Sequence, residues 1–120
     1  MKAETWKIRI TNACKDAGTY KPYFDSVIKT LSAIMEQRDI AYDQFIKEGG
    51  KTTITQINKG GNEYTEKNPL YVVVRELNMD ALAYWRDLGL TPAGLKKIDE
   101  AALKGKKKSA LAEALRELGG

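Results

Sequence analysis

The chain has 120 residues, of which 42% are apolar and 30% charged, with only ten glycines and three prolines. That is one domain's worth of sequence with enough apolar material for a core, so a second full domain and a disordered chain are excluded. It has no histidine and one cysteine, Cys14, which excludes His-based acid/base catalysis, Ser-His and Cys-His nucleophile pairs, His-containing zinc sites, tetrathiolate sites and an intrachain disulfide. The net charge of +4 is uneven: residues 1–103 hold 15 basic and 14 acidic side chains, whereas residues 104–120 hold 5 and 2. A basic tail on a near-neutral body points to a polyanionic partner.

The first residues, Met1 to Lys7, carry charges and Trp6 but no apolar run of signal-peptide length, and no stretch is long and apolar enough to span a membrane. An intracellular soluble protein is therefore expected. The lone thiol fits a reducing compartment, and Cys14 reads as a small buried hydrophobe.

Residues 5–17 form a first amphipathic helix, with Trp6, Ile10, Ala13 and Ala17 on one side and Gly18 as its terminator. The longest pattern runs over residues 20–48. Phe24, Ile28, Leu31, Met35, Arg38, Tyr42 and Phe45 alternate in steps of four and three, the seam of a coiled-coil-like helix in which Arg38 is the one polar intruder. Such a helix, about 40 Å long, exceeds what a compact chain of this size needs for its own core, and Val27, Ile34 and Ala41 widen its stripe. It must pack on an antiparallel helix within the chain, on neighbouring subunits, or on both. Phe24, Ile28, Leu31, Met35, Tyr42 and Phe45 are accordingly the candidate oligomer-interface residues.

Gly49 and Gly50 close this helix through the left-handed cap conformation. Residues 51–67, rich in threonine and turned at Gly60-Gly61, read as a β-hairpin. Asn68-Pro69 then caps and starts a second long helix over residues 68–88, whose apolar positions include Leu70, Val73, Val74, Leu77, Ala81, Tyr84, Trp85 and Leu88. Two long helices joined by so short a connection are antiparallel neighbours. Thr91-Pro92 repeats the start signal for a short helix over residues 91–103, and residues 104–120 read as a basic, flexible C-terminal tail containing KGKKK and the amphipathic string SALAEALREL. The expected fold is mainly α: a long antiparallel helical hairpin with a small β-hairpin insertion, a short N-terminal helix, and a short C-terminal helix plus basic tail.

The stretch 67–98, KNPLYVVVRELNMDALAYWRDLGLTPAGLKKI, resembles the signature region of small terminase subunits of tailed bacteriophages and prophages. The shared elements are the Asn-Pro helix start, a polar interruption at Asn78 and Asp80, and the Leu88-Gly89-Leu90-Thr91-Pro92 corner leading into a short basic helix. The preceding helix with Tyr20, Tyr23 and Tyr42 and the threonine-rich hairpin are similar in order and length, so the resemblance covers about residues 5–100. It implies a non-enzymatic, helical, ring-forming protein of the bacterial host cytoplasm. Such a protein binds double-stranded viral DNA and regulates a separate large terminase subunit that holds the ATPase and nuclease.

The residues themselves agree with the absence of an enzyme. Gly49-Gly50-Lys51-Thr52 lacks the glycine that a phosphate-binding loop needs, since position 45 is Phe. Asp39 and Asp43, four apart on a helix, read as a solvated face rather than a metal site. No catalytic, cofactor or metal-binding residue is assigned. Holding DNA without reading its sequence requires cations placed against phosphates. The candidates are Lys104, Lys106, Lys107 and Lys108 in the tail, Lys96 and Lys97 after the Thr-Pro corner, and Lys7, Arg9 and Lys15 on the first helix. Trp6 and Trp85 fall on apolar faces and read as core. Two other readings stay open on sequence: a small helical regulatory DNA-binding protein acting as a dimer, and a phage head-assembly protein without DNA binding.

Overall fold

The computed structural model describes residues 1–119, apart from the side chains of 105–110 and 117–119. Helix α1 spans Ala3–Ala17, a single 3-10 turn covers Pro22–Phe24, and α2 spans Asp25–Lys47. Strands β1 (Thr53–Ile57) and β2 (Glu63–Lys67) follow, then α3 (Pro69–Asp87) and α4 (Pro92–Gly119). The expected mainly helical fold with its β-hairpin insertion is present. The second helix begins later than the pattern indicated, because Lys21, held extended ahead of Pro22, cannot join a helix.

Helices α2 and α3 form the antiparallel hairpin. Phe45 stacks on Tyr71 at 6.1 Å between ring centroids, and Arg38 donates from Nε to Asn78 Oδ1 at 3.0 Å. Both pairs step by seven residues on each helix, so the two helices run alongside each other in a fixed register. The polar intruder in the α2 seam thus meets the polar interruption in α3. Arg38 also donates to Asp39 Oδ1 and lies over the Tyr42 ring, which leaves its guanidinium partnered where an aliphatic pair would otherwise sit.

Helix α1 lies along α2 and covers one side of the hairpin near its α3–α4 end. The core there comprises Ile10 and Cys14 from α1, Ile28, Leu31 and Met35 from α2, and Ala81 and Leu88 around the end of α3. Trp6 and Trp85 meet edge to face at 6.5 Å, so both indoles serve the core. Ser32, also buried, donates its hydroxyl to Ile28 O at 2.7 Å and carries no unmet polar group inside.

The β-hairpin pairs Thr53 with Lys67, Thr55 with Thr65 and Ile57 with Glu63, and projects from the far end of the helical hairpin. Asn68 joins the two parts. Its Oδ1 accepts from Leu70 N at 3.0 Å as the α3 N-cap, its Nδ2 donates to Lys51 O, and its own N–H donates to Thr52 O. One buried amide therefore fixes the start of α3 against the chain entering β1.

The expected C-terminal helix is there and extends further than the sequence pattern placed it. The backbone stays helical from Pro92 to Gly119, 28 residues, through the segment read as a basic tail. The lone Gly105 in KGKKK costs a helix about 1 kcal/mol but does not break it, and the flanking lysines and alanines favour it.

Candidate functional site

Three surfaces follow from this arrangement: the exposed cations around α1, the α3–α4 corner, and the apolar flanks of the helical hairpin.

On α1, Lys7, Arg9 and Lys15 are all exposed. Lys15 places its Nζ 5.2 Å from the centroid of the Tyr20 ring. Lys7 lines a shallow depression with Lys29 and Ser32 of α2. Lys29 was not among the sequence-derived candidates. It becomes visible only once α1 is known to pack on α2, because the pattern of α2 alone marks position 29 as ordinary surface. The N-terminal end of α1 is held by carboxylates of α2: Ala3 N donates to Glu36, and Trp6 Nε1 donates to Asp39 Oδ2 at 2.8 Å. The Met1 amine also reaches Asp39, at 3.2 Å. Partial burial pushes the Asp39 carboxyl up, but the hydrogen bonds from Trp6, Arg38 and the Met1 amine outweigh it and hold the group below the ordinary aspartate range. Asp39, read from sequence as part of a solvated face, is thus a docking point for α1, while Asp43 is exposed. Cys14 is fully buried, and its thiol is pushed up by that burial, a core group rather than a reactive one.

At the corner, Thr91 Oγ1 accepts from Gly94 N at 3.1 Å and caps α4. Gly89 has φ +71° and faces Ile98 and Thr19 so closely that a Cβ would come within 3 Å of both. Gly94 is tighter still: a Cβ there would lie 2.2 Å from Arg86 O, so the first turn of α4 rests on the backbone of the last turn of α3. Lys96 and Lys97 are exposed beyond this contact. Lys97 shares a depression with Arg86 and Asp87, so an acid sits among the bases. Lys104 is exposed two turns further along α4, while the side chains of Lys106, Lys107 and Lys108 lie outside the described residues. The structure therefore adds Lys29 to the α1 group, and the Lys96, Lys97 and Lys104 group runs separately along α4.

The predicted oligomer face needs correcting. Ile28 and Leu31 are fully buried and Met35 and Phe45 are only 8% exposed within the single chain, while Phe24 is half-buried and Tyr42 is 40% exposed. The first four line this chain's own core. The reading from stripe length did not count α1, which takes one flank of α2 while α3 takes the other. The apolar surface that does face solvent lies elsewhere: Ile40, Ile46, Val73, Met79 and Leu82 are 40–64% exposed. Three of these five, Ile40, Ile46 and Val73, sit where the hairpin extends past α1.

Among the described residues no group of His, Cys, Asp and Glu is placed to hold a metal, and no helix is long and apolar enough to cross a membrane. The described surface of this helical scaffold is marked by exposed cations on α1 and α4 and by exposed apolar side chains on the hairpin. The family described as "Phage terminase, small subunit" matches residues 3–104, and the chain belongs to that family. Searches of curated proteins and of solved structures returned no match.

Proposed function

We propose that this protein is the DNA-recognition adaptor of a viral genome-packaging machine, a non-enzymatic subunit that assembles into a ring on double-stranded DNA in the bacterial cytoplasm. In that role it regulates the large terminase subunit, which carries the ATPase and nuclease. Family membership over residues 3–104 supports the packaging role. The observation that carries the assembly is the half of the helical hairpin beyond α1, where two helices alone expose Ile40, Ile46 and Val73. A two-helix stalk leaves one flank of each helix open, and a neighbouring subunit is what closes it.

The DNA contact assigned to Lys7, Lys29, Arg9 and Lys15 on the body, and to Lys96, Lys97, Lys104, Lys106, Lys107 and Lys108 along α4, is electrostatic. A ring multiplies a weak contact per subunit through effective concentration. The test is solution mass by sedimentation with and without duplex DNA across a salt series. The expected result is a multimer whose DNA affinity falls steeply with salt. A protein that is monomeric at micromolar concentration, or whose association with duplex is absent at low salt, refutes the reading.

A further inference from the structure

The trough that α1 occupies does not end where α1 ends. Trp6 meets α2 at Asp39 and α3 at Trp85. Seven residues further along the same face of α2 lies Ile46, and seven and fourteen residues back along α3 lie Asn78 and Tyr71. Past Asp39 this trough is open. Ile46 is 52% exposed, and the α3 wall is a groove in which Tyr71, Val74 and Arg75 lie past Asp39, with Asn78, Met79 and Leu82 at its near end.

Helix α1 shows what the trough accepts: a helix with apolar side chains four residues apart, here Trp6, Ile10 and Cys14. In the C-terminal half of α4, Leu111 and Leu115 are likewise four apart and face solvent. Leu111 is 62% and Leu115 61% exposed, and Leu118 continues the row in the sequence. This segment does not reach the trough of its own chain. Helix α4 starts beside Leu88, at the opposite end of α3 from Tyr71. The molecule is 86 Å long, whereas α2 and the β-hairpin together account for about 55 Å, so α4 extends the long axis away from the trough.

We propose that the leucine row of the C-terminal half of α4 docks in the open trough of a second copy of this chain. This rests on the assembly reading above and names the contact that makes it. The contact is heterologous, tail to trough, so each copy has one of each to offer and the series closes into a ring or runs on as a chain. A three-turn helix laid in such a groove covers on the order of 1,000 Å², the lower limit for a specific interface. One contact alone is weak, and two per copy in a closed ring make the assembly stable.

The test uses the whole 120-residue chain with two double substitutions, Leu111→Asp with Leu115→Asp in the tail and Ile46→Asp with Met79→Asp in the trough. All four positions are at least 40% exposed, and helix content by circular dichroism checks that each variant folds. If aspartate disturbs either helix, serine at the same positions carries the comparison. Each variant alone is expected to sediment as a monomer where the unaltered chain assembles. An equal mixture, at high protein concentration, is expected to give a species of twice the monomer mass and nothing larger, because a single intact tail-to-trough pair remains. A tail variant that assembles like the unaltered chain, or a mixture that stays monomeric, overturns the tail-to-trough contact and leaves the assembly reading standing. An unaltered chain that is itself monomeric overturns both.

Discussion

The two halves of the helical hairpin use the same helices and meet different fates. Near the α3–α4 corner, α1 turns a pair into a three-helix unit, and Ile10, Ile28, Leu31 and Leu88 are removed from water almost completely. Towards the β-hairpin, α2 and α3 continue without a third layer, and side chains of the same kind stay exposed. The apolar content of a helix face therefore says little about burial until the number of neighbours is known. In this chain the inner half supplies stability and the outer half supplies surface.

Substitutions at matched positions in the two halves should separate these roles. The largest effect is expected from Leu31→Ala, which opens a cavity between α1, α2 and α3; it should cost about 3 kcal/mol in chemical denaturation. Next comes Gly94→Ala. Its added methyl has no room against Arg86 O, and the repacking it forces should cost about 2 kcal/mol and displace α4, with spectroscopic distances between α3 and α4 as the second readout. Asp39→Asn is expected to cost about 1 kcal/mol at neutral pH through weaker bonds to Trp6 and Arg38.

The pH dependence of that site has a definite sign. The Asp39 carboxyl is held below its unfolded range, so its contribution is present above that range and is lost as pH falls through the folded value. The unaltered chain should therefore lose stability on acidification more steeply than Asp39→Asn, and equal slopes would remove Asp39 as the anchor of α1. The smallest effect on folding is expected for Ile46→Ser in the outer half, within about 0.5 kcal/mol in urea denaturation, while its sedimentation shifts towards the monomer. A stability loss as large as that of Leu31→Ala would erase the contrast between the two halves.

Much of the fold was legible because the punctuation is local. Asn68-Pro69, Thr91-Pro92 and the glycines after α1 and α2 act within a few residues, and each stands where the sequence put it. What could not be read depends on partners distant in the chain. Arg38 and Asn78 are separated by forty positions and look like unrelated blemishes until the helices are paired. The apolar side of α1 was legible, but the helices it covers were not, because its contacts on Glu36, Asp39 and Trp85 lie more than thirty positions away in the chain. For the same reason Ile28 and Leu31 read as surface for a neighbour, and Lys29 was overlooked. The length of α4 was missed for a different reason: a run of lysines around a glycine looks like an interruption in hydrophobic periodicity, although it barely disturbs backbone hydrogen bonding.

The meeting of Gly94 with Arg86 is a contact between main chains, with no side chain acting as a spacer. The direction in which α4 leaves the body is consequently insensitive to which cations or leucines decorate it. Exchange of the exposed side chains of α4 would leave the helix aimed along the same line, provided position 94 stays without a side chain.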